Sequence, residues 1–168
     1  ILQMKICFLS TEHFLLDERF YFKEILSVID NYDISIIALS NTVEPPAIAA
    51  AGSTRQIKLY PVCLNKKHGR GFVKWYRYLI RKIFVVAKCF YFTLADNPDI
   101  IHTHEPSSLF TAVCVKLFKP SVKIVYDSHE HYPSLISSLA PKYLKNIAFL
   151  SIKLLERILL KFAAGLIT

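Results

Sequence analysis

The chain has 168 residues, 53% of them hydrophobic, which suffices for one domain with a substantial core. Its four glycines form neither a G-x-G-x-x-G nor a Walker pattern, which argues against the common glycine-rich nucleotide loops. The formal net charge of +8 favours a polyanionic partner, whether nucleic acid, anionic lipid or a phosphorylated substrate. No apolar stretch reaches the ~18 residues that a membrane-spanning helix needs.

Short apolar runs alternate with longer helical stretches along the chain. The runs predicted to be strands are residues 5–10, 33–39, 55–62, 98–104, 122–127 and 165–168. The stretches predicted to be helices are residues 17–32, 72–95, 107–118 and 141–164. Continuous apolar strands that alternate with helices are typical of a parallel sheet covered on both faces. We therefore predict an α/β fold, with one Rossmann-like domain over residues 1–168.

Two histidine-rich segments follow predicted strands. Residues 100–106 read IIHTHEP and residues 124–133 read IVYDSHEHYP. Parallel strands end at one edge of the sheet, where α/β proteins bind ligands, so both segments are expected to face one crevice. His102 and His104 share a face of their strand. We expect His102, one pleat inside the strand, to be buried and structural, and His104, at the last strand position, to open into the crevice.

A metal site is an alternative for these segments. Two histidines at this spacing can bind one metal ion, and the second segment repeats the spacing and adds carboxylates. A metal-dependent hydrolase therefore stays open as a function. The segments belong to different turns, however, and no third motif supplies the remaining acids. We expect no metal and no cofactor.

The segment after the first histidine pair predicts a helix start. Glu105 and Pro106 form a turn, and Ser107 or Ser108 is expected to cap the helix that follows. The free N–H groups and the positive dipole end of such a helix suit a hydroxyl, carboxylate or phosphate group.

The predicted helix at 72–95 carries a basic face. Lys74, Arg77 and Arg81 follow one another at helical spacing, among aromatic and aliphatic residues. Such a helix can lie on an anionic membrane, and we predict membrane binding by these three residues. The alternative is a helix that packs on the core and exposes its basic face to water. Because there is no recognition motif or separate basic arm, we expect no nucleic-acid partner.

Four motifs in order resemble the N-terminal domain of GT-B-fold glycosyltransferases. The match is closest to the retaining family 4, whose members often carry H-x-H-(D/E)-P and then Y-D-x-H-E-x-Y-P, here IIHTHEP and VYDSHEHYP. The start, KICFLSTEHFLLDERFYFKE, is similar to a strand, loop and helix in which D-x-R opens the helix and an acid follows. The end, LLERILLKFAAGLIT, resembles the helix and strand before the interdomain linker.

The resemblance implies two Rossmann-like domains that enclose a cleft. A C-terminal domain, absent from these residues, would bind the nucleotide-sugar donor, and this domain would contact a glycan or lipid-linked acceptor. Transfer would retain the anomeric configuration and need no metal. The location implied is the cytoplasm, peripheral at the inner face of the cell membrane. A non-catalytic, membrane-associated partner of a split enzyme is the alternative.

The resemblance also implies roles for single residues. His104 would be the catalytic-site residue that reaches the transferred sugar. The residues implied to bind substrate are Glu105, Asp127, His129, Glu130, Asp17 and Arg19. The alternative for Asp17 is a helix cap, and for Arg19 an ion pair with a nearby acid.

Overall fold

The computed structural model of the protein describes residues 3–15, 24–42, 57–63, 72–128, 131–140 and 142–167, with the side chains of residues 72–79, 136 and 139 excepted. Residues 43–53 of the predicted loop and residues 17–23 of the helix predicted at 17–32 therefore lie outside the described residues. The same is true of the start of the strand predicted at 55–62. In the rest of the helix predicted at 17–32, only Leu26–Val28 is α-helical.

The described strands form one parallel sheet. They are β1 (Lys5–Phe14), β2 (Asp33–Ser40), β3 (Lys58–Cys63), β4 (Ile100–Thr103), β5 (Lys123–Asp127) and β6 (Gly165–Ile167). Their spatial order is β3-β2-β1-β4-β5-β6, and every neighbouring pair is parallel. This order confirms the predicted Rossmann-like fold. The strand order reverses between β1 and β4, which places the crevice at their carboxyl ends.

Five helices connect the described strands. They are α1 (Leu26–Val28), α2 (Phe72–Asp96), α3 (Pro106–Phe118), α4 (Tyr132–Leu139) and α5 (Lys145–Leu159), with short 3₁₀ turns at Lys142–Leu144 and Leu160–Phe162. In the described part of the chain, no helix is both long and apolar enough to cross a membrane.

Alternation along the strands builds a core on each face of the sheet. In β2, Ile37 joins the core under α2, α3 and α5, whereas its neighbour Ile36 joins the core under the α1 segment. In β1, Cys7 and Phe8 divide in the same way. Successive side chains of a strand point to opposite faces, so a continuous apolar strand must be covered on both.

The first strand and the last helix differ from their predicted bounds. The first strand does not end at Ser10, because pairing with β2 resumes at Phe14 after a register shift. The Ser10 hydroxyl accepts the N–H group of His13 at 2.8 Å, which satisfies the backbone within the irregular part. The helix predicted at 141–164 begins only at Lys145 and ends at Leu159.

No helix was predicted around Pro133, where the structure has α4. The structure places this proline in the first turn of α4, where the missing N–H group costs nothing. Ala140 is extended and precedes Pro141 in the sequence. Since the residue before a proline disfavours helical geometry, α4 ends there.

A buried carboxylate joins the end of α2 to the amino edge of the sheet. Asp96 is almost fully buried, and Lys5 lies 2.7 Å from its Oδ1 atom. Ser35 and Tyr60 donate hydrogen bonds to it at 2.6 and 2.7 Å. Burial raises the pKa of the carboxyl, but these three donors outweigh burial and hold the pKa below its usual range. One side chain thus links β1, β2 and β3 to α2.

Replacing Asp96 with Asn should lower the free energy of unfolding by ~2 kcal/mol at neutral pH, because the charged hydrogen bonds are lost. A carboxyl with a depressed folded-state pKa stabilises the fold above its unfolded pKa, and that stabilisation is lost as pH falls through the folded value. The difference between wild type and variant should therefore shrink in acid. Denaturant unfolding at several pH values measures it. The exposed Asp30→Asn is the control, and equal pH profiles for both variants would contradict the account.

Candidate functional site

The carboxyl edge of the sheet carries a cluster of two imidazoles and two carboxylates, which we call the histidine cluster. Its members are Glu24, His102, His104 and Asp127. His102 belongs to β4 and pairs in register with Phe8 of β1, so it lies at the strand-order reversal. Asp127 is the last residue of the neighbouring strand, β5. Glu24 lies two residues before the first residue of α1. Three separate parts of the chain thus meet at the predicted crevice.

Within the histidine cluster, each imidazole ring contacts at least one carboxylate. The Oε2 atom of Glu24 lies 3.4 Å from Nε2 of His104 and 3.7 Å from Nδ1 of His102. On the far side of the His102 ring, Nε2 lies 3.9 Å from Oδ2 of Asp127. His102 therefore sits between two carboxylates, and one of these carboxylates also contacts His104.

The imidazole rings are held by stacking. The His102 ring lies between Phe8, at a centroid distance of 5.1 Å, and His104, at 4.8 Å with an interplanar angle of 25°. Such contact leaves the ring planes little freedom. The cluster is therefore a fixed arrangement rather than a set of independent surface groups.

The predicted difference in exposure between the two histidines is wrong. His102 is 12% exposed, as expected for a mostly buried residue, but His104 is only 4% exposed and does not open to water. The chain stays extended through Glu105, so His104 keeps the same face as His102 two residues earlier. Glu24 then lies against both rings. A strand pattern reveals the shared face but not the segment that covers it.

The histidine cluster offers a donor set that could hold a metal ion. Each of its four residues has one ligand atom, and these atoms lie within 4.8 Å of one another. Imidazole nitrogens with carboxylate oxygens are ligands that zinc accepts. The metal alternative also invoked the second histidine segment, but His129 and Glu130 lie outside the described residues. The expectation that no metal is needed stays a prediction.

Glu105 has a structural position instead of the predicted substrate contact. It is fully buried, and the Ser10 hydroxyl and the Thr11 N–H group both donate to its carboxylate. Burial raises the pKa of this carboxyl, while hydrogen bonds from Ser10 and Ser108 oppose the shift. Glu105 thus ties the end of β1 to the start of α3, with its carboxylate engaged by these donors.

The predicted caps of α3 are also corrected. Glu105 itself is the N-cap, and its side chain accepts the N–H group of Ser108. The Ser108 hydroxyl in turn accepts the N–H group of Glu105 at 3.0 Å. Pro106 occupies the first turn, where proline is favoured. Ser107 is thereby released, and its hydroxyl contacts that of Thr11 at 2.6 Å.

A cation lies near this helix start. The Nζ atom of Lys82 on α2 is 2.7 Å from Oε1 of Glu12 and 3.3 Å from the Thr11 hydroxyl. Because Thr11 also contacts Ser107, the lysine lies close to the amino end of α3. Its positive charge, together with the positive dipole end of α3, favours negatively charged groups of a substrate.

The remaining predicted site residues divide into two groups. Asp127 is brought into the histidine cluster, whereas Asp17 and Arg19 lie outside the described residues. Sequence reasoning assigned no role to Glu24, although it is the acid that follows D-x-R in the resemblance. The sequence could not show that Glu24 contacts the histidines, because that contact depends on the fold.

Of the predicted membrane residues, Arg81 is exposed on α2, and the side chains of Lys74 and Arg77 lie outside the described set. His131, next to the second histidine segment, is exposed, and its Nδ1 atom contacts the Ser134 hydroxyl at 2.7 Å. The structure thus gives the exposure of one of the three basic residues, and their membrane binding stays a prediction.

Comparison with known proteins gives one positive finding. A family model described as Glycosyltransferase Family 4 matches residues 30–168, more than four-fifths of the chain. The matched region contains both histidine segments, whereas Glu24 precedes it. No curated protein matches the chain.

Proposed function

The chain belongs to Glycosyltransferase Family 4, and from this membership and the histidine cluster we propose that it is the acceptor-side domain of a sugar-transferring enzyme. The donor is proposed to be a nucleotide sugar, bound mainly by a C-terminal domain. The acceptor is proposed to be a glycan or a lipid-linked sugar. The anomeric configuration is retained, and no metal takes part in the chemistry.

The observation that carries the proposal is the position of the histidine cluster. It lies at the strand-order reversal, which is where open α/β sheets bind ligands. Imidazoles and carboxylates can hydrogen-bond sugar hydroxyls, and carboxylates favour the positive charge that develops on a sugar as a diphosphate leaves. The described residues present no nucleophile paired with a base at this edge. The domain would therefore act by positioning and electrostatics.

His104 is the residue proposed to reach the transferred sugar. Glu24 lies against its Nε2 atom at 3.4 Å, so a sugar hydroxyl must either join this contact or replace it. The cationic Lys82 and the start of α3 lie at the same edge and are suited to a diphosphate or another acidic group. Each part of the proposed substrate thus has a group of matching chemistry nearby.

The second part of the proposal is that the protein binds the inner face of the cell membrane. The helices α2, α3 and α5 cover one face of the sheet and turn large apolar side chains outward. In the described part of these helices, the large apolar side chains exposed by 60–73% are Ile83 and Tyr91 on α2, Leu117 and Phe118 on α3, and Ile147, Leu150 and Leu154 on α5. Large exposed apolar surface is rare on soluble monomers and marks interaction sites.

The charges on these three helices favour an anionic bilayer. Arg81, Lys153 and Arg157 are exposed beside the apolar side chains. The helices contain two acids, and both are engaged: Asp96 is buried, and Glu156 accepts a hydrogen bond from Tyr126 at 2.6 Å. Two copies of so basic a face would repel each other, whereas anionic headgroups would attract it.

Replacing His104 with Gln in the complete enzyme should reduce kcat by ~10²-fold, because a positioning group is lost. Release of nucleoside diphosphate from a panel of nucleotide sugars measures it. Residues 1–168 alone, without a donor-binding half, are the inactive reference. The control variant His131→Gln should retain activity, and circular dichroism reports folding. Full activity of the folded His104→Gln variant would rule out the proposed role.

If the protein docks on an anionic membrane, it should sediment with vesicles of phosphatidylglycerol and phosphatidylcholine but not with vesicles of phosphatidylcholine alone. Salt should weaken this binding because it screens the charges. Replacing Lys74, Arg77 and Arg81 with Gln should cost ~1 kcal/mol per charge. Leu150→Ser and Leu154→Ser should weaken binding at any salt concentration. The control is Met4→Ser, at the start of β1. Equal binding to both vesicle types would exclude the electrostatic docking, and a concentration-dependent dimer instead of vesicle binding would assign the face to a second copy.

A further inference from the structure

One carboxylate oxygen in the histidine cluster serves two rings. The Oε2 atom of Glu24 lies within 4 Å of Nε2 of His104 and of Nδ1 of His102. We propose that Glu24 is a positioning residue, which holds both imidazoles in the orientation and tautomer in which His104 meets the substrate. The substrate part of this statement rests on the proposed sugar transfer, whereas the control of the rings by Glu24 does not.

Glu24 is itself anchored firmly enough to hold other groups. Its neighbour Ile25 is fully buried in the core beneath the α1 segment, together with Ile29. The N–H group of Ile29 donates to the carbonyl of Ile25 at 3.0 Å, and the Ser27 hydroxyl donates to the Glu24 carbonyl at 2.6 Å. A buried isoleucine next to Glu24 fixes the backbone, so the carboxylate has a short and constrained reach to the rings.

The expected effect on each ring follows from electrostatics. A carboxylate beside an imidazole nitrogen stabilises a proton on that nitrogen. For His104 this favours the tautomer with Nε2–H directed at Glu24. His102 has Glu24 at Nδ1 and Asp127 at Nε2, so each of its nitrogens faces a carboxylate. Removing the charge of Glu24 should therefore change both rings, and not one alone.

An effect on the protonation of the two rings distinguishes a positioning role of Glu24 from a purely structural role. A residue that only filled space would alter stability when replaced but would leave the protonation of the rings as it was. Gln has nearly the same shape as Glu and can still pack beside the rings, but it lacks the charge. Glu24→Gln is therefore the matched substitution, and the ring nitrogens are the direct readout.

The experiment records long-range ¹H–¹⁵N correlations of the histidine rings in the ¹⁵N-labelled 168-residue protein. In Glu24→Gln the ring-nitrogen signals of His102 and His104 should both shift, whereas those of His131 should stay in place. The amide spectrum shows whether the fold is kept. If Gln at this position unfolds the protein, Glu24→Asp, which keeps the charge but shortens the side chain, should fold and shift the same two rings.

Two spectroscopic outcomes would overturn the proposal. One is a folded variant in which the signals of both rings are unchanged. The other appears on titration with Zn²⁺ alone: if the wild-type protein binds one equivalent tightly through these rings and Glu24→Gln does not, the cluster is a metal site and Glu24 is a ligand.

Transfer by the complete enzyme completes the test. Glu24→Gln should lower kcat by ~10- to 100-fold with a smaller change in the donor KM, because orientation rather than donor binding is lost. Shifted rings with unchanged kcat would refute the positioning role. If the ring signals shift in Glu24→Gln but the complete wild-type enzyme transfers no sugar, the proposed function is refuted. The control of the rings by Glu24 is then still supported.

Discussion

Buried carboxylates at the two ends of β4 hold this sheet together. Asp96 is the last residue of α2, just before β4, and it contacts side chains near the amino ends of three strands. Glu105 is the N-cap of α3, just after β4, and it accepts hydrogen bonds from the carboxyl end of β1. An unpaired buried carboxylate would be costly, so each is stable only with its donors in place. The register of β4 against β1, and with it the position of the crevice, depends on these two groups.

This register determines what the crevice contains. Fixing β4 places His102 beside Phe8, and the extended backbone carries His104 onto the same face. Glu24 and Asp127 then approach from separate segments and surround the rings with negative charge. Every group is held by a core residue or a stacked ring, as expected for a site that acts through preorganisation and not through a reactive nucleophile.

Sequence patterns predicted the parts of this structure that depend on local periodicity. The apolar run of β2 and the long helix α2 appear within one residue of their predicted bounds. Errors arose where a distant contact decides the outcome. Glu105 displaced the expected serine cap because its carboxylate binds Ser10 and Thr11 of β1. The burial of His104 depends on Glu24, which is 80 positions away in the chain and cannot be inferred from the strand pattern.

The histidine cluster is proposed to bind the transferred sugar in a Glycosyltransferase Family 4 enzyme. A crystal structure of the complete enzyme with its nucleotide sugar tests it most directly. The account predicts a hydroxyl of the transferred sugar within ~3 Å of an imidazole nitrogen of His104, with Glu24 still against the ring. A sugar bound away from this edge of the sheet, or a metal ion held by the four cluster residues, would contradict it.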